Sequence, residues 1–136
     1  MKQKKIQKKT KKIKQNEAPS ARAEWLYMAD AGVSLRCLYE LLRKEEWNAE
    51  LWEEADVLEI MLPGAGAIDM EYLEEEQWEE ALFAQIRKHQ TEKVYTVTFA
   101  EEDYGQVQEV MKYLTEQAGG LFCRDTEDFF PQIRGR

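Results

Sequence analysis

The amino-acid sequence predicts an α+β fold, a two-layer sandwich in which helices pack on one β-sheet. Short apolar or alternating segments, such as VYTVTFA at residues 94–100, are typical of strands. Apolar residues at helical spacing, as in residues 103–118, predict amphipathic helices. Because both kinds of segment follow one another along the chain, we expect a mixed or antiparallel sheet of about four to five strands with helices packed on it.

The first part of the predicted domain carries two helix start signals. Ser20 precedes an apolar segment that stops at Gly32, which predicts a helix from Ser20 to about Ala31. Ser34 is a second N-cap candidate, and leucines follow it at helical spacing: Leu35, Leu38, Leu41 and Leu42. Two short helices joined at Gly32 predict an N-terminal helical hairpin.

A β-hairpin is predicted in the middle of the chain. Residues 57–62 (VLEIML) are almost continuously apolar, as in a central strand, and residues 68–72 alternate apolar with acidic side chains. PGAGA at residues 63–67 predicts the turn between them. It does not predict a phosphate-binding loop, because Asp69 stands where the dinucleotide fingerprint needs its third glycine. Residues 47–55 fit either a strand or one helical turn, and the strand is favoured.

The strongest helical pattern spans residues 73–90. It has five glutamates in its first half and a basic last turn, Arg87, Lys88 and His89. This distribution complements the helix dipole, which is positive at the first turn and negative at the last. His89 is therefore expected to meet the last carbonyl groups of the helix.

The strand at 94–100, the helix at 103–118 and a strand at 121–124 form a β–α–β unit. A right-handed crossover with parallel pairing of the two strands is expected if they share a sheet. The remaining residues, 125–136, predict an irregular end that Phe129 and Phe130 anchor to the core.

Charge divides the chain into a basic tail and an acidic domain. Residues 1–15 contain eight lysines and no acid. The chain has 19 Lys and Arg and 27 Asp and Glu, so 11 bases (19 minus 8) face 27 acids in the remainder, a net charge near −16. We expect residues 1–18 to be a disordered basic tail, because so few apolar residues cannot offset the entropy of ordering it. Residues 19–136 are expected to form a single acidic α+β domain.

No motif for catalysis, metal or cofactor binding emerges. Cys37 and Cys123 are far apart and are expected to be reduced, buried thiols, and one histidine with two scattered cysteines makes a zinc site improbable. Carboxylates occur close together at Asp69 and Glu71, and again at Asp125, Glu127 and Asp128, but without the spacing of a known cation loop. We therefore expect no cofactor and favour a protein that is not an enzyme.

The excess of acid predicts a protein that binds a basic protein surface, in an interaction or regulatory role. The strongest candidates are two dense acidic runs outside the predicted helix starts: Glu45, Glu46, Glu50, Glu53, Glu54, Asp56, Asp125, Glu127 and Asp128.

The basic tail suggests two alternatives. It could bind nucleic acid through its lysines, with sequence-independent and salt-sensitive affinity: Lys4, Lys5, Lys8, Lys9, Lys11, Lys12 and Lys14. It could instead fold back on the acidic domain. A small enzyme with a carboxylate or Cys/His site is a further alternative. We expect a cytoplasmic protein without a membrane segment, since no apolar run approaches the roughly 18 residues that a span needs.

Overall fold

The computed structural model of the chain, described for residues 21–135, contains one antiparallel sheet of seven strands and three α-helices. The strands are β1 (Arg22–Ala29), β2 (Asn48–Trp52), β3 (Val57–Met61), β4 (Ala67–Tyr72), β5 (Lys93–Ala100), β6 (Leu121–Arg124) and β7 (Gln132–Ile133). The helices are α1 (Leu35–Lys44), α2 (Glu80–His89) and α3 (Tyr104–Ala118). The α+β class is confirmed, while the predicted strand number is too low.

The strand order across the sheet is β2-β3-β4-β5-β1-β6-β7. The predicted helix over Ser20–Ala31 is wrong, because Arg22–Ala29 is the strand β1 near the centre of this sheet. The N-terminal helical hairpin is therefore absent from the described residues, and only its second helix, α1, exists. Ser34 caps α1 as expected, since its hydroxyl accepts a hydrogen bond from the backbone N–H of Cys37.

The position of β1 also corrects the predicted β–α–β unit. β5 and β6 both pair with β1 in antiparallel fashion, so they run parallel to each other but do not touch as neighbours. The helix α3 connects them across β1. The expectation of parallel pairing failed because the first strand of the chain inserts between two strands that are consecutive in sequence.

Two hydrophobic clusters lie on opposite faces of the sheet. The larger one joins the sheet to α1 and α3 and takes alternate residues of β1, Ala23, Trp25, Tyr27 and Ala29. The smaller one joins Leu26 and Met28 of β1 to Leu82 and Ile86 of α2. Because α2 packs on the face opposite α1 and α3, the helices do not form the single layer that a two-layer sandwich would have.

Most of the other predicted elements are present with shifted limits. Residues 47–55 divide into the strand β2 and a 3₁₀ turn at Glu53–Ala55. PGAGA closes the β3–β4 hairpin, where the backbone N–H of Leu62 donates to the carbonyl of Gly66 over 2.9 Å. The helix predicted from residue 73 begins only at Glu80, after a separate 3₁₀ turn at Glu75–Gln77.

The C-terminal end contains a short strand, β7, that the sequence did not predict. Of the two phenylalanines expected to anchor this end, Phe129 is buried whereas Phe130 is 56% exposed. The predicted disordered tail, residues 1–18, lies outside the described residues and stays a prediction.

Candidate functional site

One face of the sheet is covered by α1 and α3, whereas on the other face the helix of residues 21–135 that packs there, α2, covers only part. On that second face α2 packs on Leu26 and Met28, toward the end of β1. Within residues 21–135, no helix packs on the same face of β2, β3 and β4. We call this part of the sheet the open face. Its side chains are Arg22, Glu24, Glu50, Trp52, Val57, Glu59, Asp69, Glu71, Thr96 and Thr98.

Four acids line up across the open face, perpendicular to the strands. Glu59 stands directly opposite Glu50 on β2 and directly opposite Asp69 on β4. On the far side of Asp69, the row continues through Thr98 of β5 to Glu24 of β1. We call Glu24, Glu50, Glu59 and Asp69 the acidic row.

The alternation of β3 and β4 aims these acids outward. Side chains in a strand point to opposite faces in turn. Leu58 and Ile60 enter the main core, so Glu59 between them must face the other way. Ile68 and Met70 of β4 also enter the main core, so Asp69 between them faces outward. The apolar pattern that builds the core therefore also builds the acidic row.

Neighbouring acids in the row repel one another. Like charges directly opposite on adjacent strands destabilise a sheet by roughly 0.2–1 kcal/mol per pair. Glu50 and Glu24 are exposed, but Glu59 and Asp69 are partly buried, where water screens their repulsion less well. A cation close to these carboxylates reduces the repulsion between them.

Arg22, the first residue of β1, supplies one such cation. Its guanidinium Nη2 lies 3.6 Å from Asp69 Oδ2, and the same nitrogen donates to Thr98 Oγ1 over 3.3 Å. Arg22 and Asp69 stand on strands separated by β5, so the arginine side chain extends along the row. The open face thus already contains one example of a basic side chain lying over its acids.

A second line of side chains beside the acidic row is less polar. Trp52 faces Val57 in register, and Val57 faces Glu71, which faces Thr96. The Thr96 hydroxyl is bound to the backbone, as it donates to the carbonyl of Glu71 over 3.3 Å. The open face therefore places a partly exposed indole, Trp52, and a valine that is only 6% exposed next to carboxylates. The apolar stem of a lysine or arginine can lie on such a surface while its charged end meets the acids.

Two of the predicted partner-binding residues belong to this surface. Glu50 forms one end of the acidic row. Asp125 extends the other end, because its backbone N–H donates to the carbonyl of Glu24 over 2.9 Å. Burial and then the carboxylates of Glu24 and Glu79 raise the pKa of Asp125, which places it among other acids.

The other predicted residues of the first acidic run are dispersed. Glu53 pairs with Arg36 on α1, and this arginine lowers the pKa of Glu53. Glu45 and Glu46 line a cleft of about 460 Å³ at the edge of the sheet, together with Trp47, Asn48, Met61, Leu62 and Pro63. Glu54 and Asp56 are exposed around the 3₁₀ turn after β2.

The second acidic run stabilises its own loop. Asp128 Oδ1 accepts hydrogen bonds from Thr126 Oγ1 at 3.0 Å and from the backbone N–H of Phe130 at 3.1 Å. These bonds lower the pKa of Asp128. Glu127 is exposed in the same loop. The structure does not bring the nine predicted acids together on one surface.

The candidate catalytic groups do not converge either. Cys37 lies on α1, on one side of the sheet, and Cys123 belongs to the cluster on the other side. Burial raises the pKa of Cys123 to about 12, so its reactive thiolate is scarce at neutral pH. His89 does not cap α2 as predicted, because its Nδ1 lies 3.0 Å from Arg134 Nη2 and the backbone N–H of Gln90 satisfies the last carbonyls.

The sequence interpretation missed two of the four acids in the acidic row. It named Asp69 and Glu71 as carboxylates close together in the sequence, but it did not single out Glu59 or Glu24. The signal for Glu59 was present as the one acid inside an apolar strand, VLEIM. Glu24 carried no such signal, because its segment was predicted as a helix.

Three further predictions concern the tail lysines, a metal site and a membrane segment. The candidate nucleic-acid contacts, Lys4 to Lys14, lie outside the described residues and stay predictions. Among residues 21–135, no three His, Cys, Asp or Glu side chains are grouped so that they could hold a metal ion. The helices of that same stretch are too short or too polar to cross a membrane.

Comparison with known proteins gives no relative. No protein-family model matches the chain. Neither the curated proteins nor the solved structures contain a significant match to it.

Proposed function

We propose that this protein binds a basic, extended protein segment on the open face of its sheet and has an interaction or regulatory role. The acidic row is the observation that carries this proposal. It places four carboxylates across five adjacent strands, with Arg22 already lying along them.

The dimensions of the row suit an extended chain. Strands are about 4.8 Å apart, so the row measures about 19 Å from β2 to β1. About six residues of extended polypeptide cover that length. A segment with lysine or arginine near its two ends can meet the exposed carboxylates at the ends of the row, Glu24 and Glu50.

The chemistry of the open face selects for positive charge. An acidic partner, or the phosphate backbone of a nucleic acid, would be repelled by the row. A basic side chain gains in two ways, because its charged end approaches the carboxylates and its stem lies on the partly exposed Trp52. Such binding should weaken as salt screens the exposed charges.

The test uses the full chain with its tail lysines neutralised, which we call the tail-neutral variant. It carries Gln in place of all eight lysines of residues 1–15, so that the tail cannot compete. The probe is a fluorescein-labelled peptide of six Lys-Ser repeats, and the measurement is its fluorescence anisotropy at about 20 mM and about 500 mM NaCl. We expect saturable binding that the higher salt weakens strongly.

A matched pair of variants locates the site. Glu50→Gln with Glu59→Gln removes two charges from the acidic row, whereas Glu102→Gln with Glu109→Gln removes two exposed charges around the start of α3. We expect the first pair to weaken binding about tenfold, as two exposed ion pairs would, and the second to change it less than about twofold. Equal weakening by both pairs would mean non-specific attraction to net charge and would refute the proposal, as would no binding at low salt.

A further inference from the structure

We propose that the cleft beside Trp47, at the edge of the sheet, binds an arginine side chain of the basic segment that lies on the open face. This inference rests on the proposed function, because the arginine belongs to the same partner. It deepens that function by naming one residue of the partner and the pocket that anchors it. A few anchoring residues commonly dominate an interface, and Trp and Arg are enriched among them.

Two turns of the backbone form the walls of the cleft. One is the turn between α1 and β2, and the other is the turn between β3 and β4. The backbone N–H of Trp47 donates to the carbonyl of Leu42 over 3.0 Å, which fixes the first turn. The backbone N–H of Leu62 donates to the carbonyl of Gly66 over 2.9 Å, which fixes the second. The cleft of about 460 Å³ is therefore formed before a partner binds.

Two residues of the cleft belong to the same side of the sheet as the acidic row. Asn48 and Met61 both line the cleft and stand opposite each other in register on β2 and β3. Because side chains alternate along a strand, Asn48 points to the same face as Glu50, and Met61 points to the same face as Glu59. Residues two positions apart on a strand are about 7 Å apart. A partner segment that has crossed the row as far as Glu50 therefore reaches the cleft with about two more residues of extended chain.

The cleft carries negative charge that is not balanced by the described residues. Glu45 and Glu46 are exposed, and no lysine, arginine or histidine of residues 21–135 forms an ion pair with either of them. Arg43, the arginine nearest to them in the sequence, is held elsewhere. Its Nη1 donates to the hydroxyl of Tyr39 over 2.7 Å, and its guanidinium lies over the ring of that tyrosine. Both glutamates can therefore attract a cation that enters the cleft.

The uncharged part of the lining favours arginine over lysine. Trp47 and Met61 are partly exposed and Pro63 is exposed, so the cleft presents an indole, a thioether and a proline ring to a partner. A guanidinium stacks on an indole face, is less strongly hydrated than an ammonium group, and can meet carboxylates with its flat fork of N–H donors. Arginine thus matches both the aromatic and the acidic part of the cleft.

The experiment uses the tail-neutral variant and two labelled forms of the Lys-Ser peptide with one additional residue at each end. That residue is arginine in one peptide and lysine in the other, so the two probes carry the same charge. We expect the arginine-ended peptide to bind about threefold more tightly at about 20 mM NaCl, as a partly exposed cation–π contact would provide. Equal affinities would overturn this inference and leave the proposed function intact. No binding of either peptide would overturn the proposed function itself.

Matched variants assign the preference for arginine to the cleft. Glu45→Gln with Glu46→Gln should reduce the preference to less than about 1.5-fold, whereas Glu102→Gln with Glu109→Gln, around the start of α3, should keep it. Trp47→Leu should also remove the preference, and its thermal denaturation shows whether this variant is folded. A preference that survives Glu45→Gln with Glu46→Gln would place the arginine elsewhere and would overturn the inference.

The indole of Trp47 gives a direct signal of the contact. In a ¹H–¹⁵N correlation spectrum of the tail-neutral variant, Trp47→Leu identifies its side-chain N–H among the signals of the four tryptophans. We expect the arginine-ended peptide to shift this signal more than the lysine-ended peptide does. Equal shifts with the two peptides would contradict the stacking of an arginine on Trp47.

Discussion

The guanidinium of Arg22 extends across β5 to the carboxylate of Asp69, with 3.6 Å between Nη2 and Oδ2. The side chains of the two residues are 27% and 13% exposed, so this ion pair is more sheltered than an ordinary surface pair. It lies where the chain enters the sheet and where the acidic row crosses β4. The pair therefore connects the first residue of β1 to the surface on which we expect binding.

Replacing this arginine tests what the ion pair contributes to stability. We expect Arg22→Gln to lower the free energy of unfolding by about 1 kcal/mol, between the values for exposed and fully buried pairs. Urea denaturation measures the change. Lys112→Gln, at an exposed position of α3, is the matched control and should stay within about 0.5 kcal/mol of the parent protein. A loss no larger than that of the control would show that the pair contributes nothing.

Repulsion along the acidic row predicts a stabilising substitution. In the tail-neutral variant, Glu50→Gln removes the exposed charge that faces Glu59 on β3, and we expect the free energy of unfolding to rise by about 0.5 kcal/mol. Glu109→Gln is the control for the loss of one negative charge on the opposite side. At about 1 M NaCl the gain from Glu50→Gln should nearly vanish, because the repulsion is screened. A gain that is independent of salt would not be electrostatic.

The raised pKa of Asp125 gives a prediction about pH. Its usual value is 3.8, and burial together with Glu24 and Glu79 raises it in the folded protein. The folded state therefore holds this proton more tightly than the unfolded chain, so the group favours folding at low pH and opposes it once the pH exceeds the folded-state pKa. We expect Asp125→Asn to stabilise the protein at pH 7 by about 0.5 kcal/mol, a value discounted for solvent exposure.

The pH dependence of that gain identifies its cause. The gain should shrink as the pH falls through the raised folded-state pKa and vanish below the usual value of 3.8, where the aspartate is protonated in both states. Thermal denaturation of both proteins between pH 3.5 and pH 7 is the measurement, and Glu127→Gln, in the same loop, is the control. A gain that persists unchanged at low pH would point to packing rather than charge.

Replacement of glycine by alanine should change the free energy of unfolding in opposite directions at Gly120 and Gly105. Gly120 has φ +76°, and a Cβ there would lie 2.2 Å from the carbonyl oxygen of Met28. We expect Gly120→Ala to cost more than about 2 kcal/mol, because backbone on the central strand cannot move aside. Gly105, in the first turn of α3, has no atom within 4 Å of such a Cβ, and Gly105→Ala should stabilise by roughly 0.5–1 kcal/mol. Chemical denaturation distinguishes these outcomes, and similar effects of both would contradict the packing at Gly120.

The two thiols should differ in reactivity. Cys123 is buried with its pKa raised to about 12, whereas Cys37 on α1 is partly exposed. Maleimide treatment of the folded protein near neutral pH should modify one thiol per chain quickly, and Cys37→Ser should remove that reaction. Rapid modification of Cys123 in the folded protein would contradict its position in the smaller core cluster.

Local patterns predicted most of the elements, and β1 shows where such patterns fail. Residues Trp25 to Ala29 are all buried, because α1 and α3 cover one face of β1 and α2 covers the other. A strand that is buried on both faces lacks the alternation of apolar and polar residues, so its sequence can resemble that of a short buried helix. Because this segment was predicted as a helix, β1 was missing from the predicted sheet. The prediction therefore paired β5 directly with β6, which β1 in fact separates.

The acidic row depends on information that no single segment contains. The outward direction of Glu59 and Asp69 follows from alternation within β3 and β4. Their alignment with Glu50 and Glu24 requires the register of four strand pairs and the insertion of β1 beside β5. Composition predicts an acidic domain, but runs of acids along the sequence were a poor guide to a surface assembled across strands.

The most direct test of the central claim is a ¹H–¹⁵N correlation spectrum of the tail-neutral variant, recorded as the unlabelled Lys-Ser peptide is added. We predict that the largest shifts occur at the backbone amides of Glu50, Glu59, Asp69 and Thr98. The amides around Glu109 on α3 should scarcely move. The largest shifts at residues 125–128, or shifts spread evenly over both faces of the sheet, would contradict a binding site on the open face.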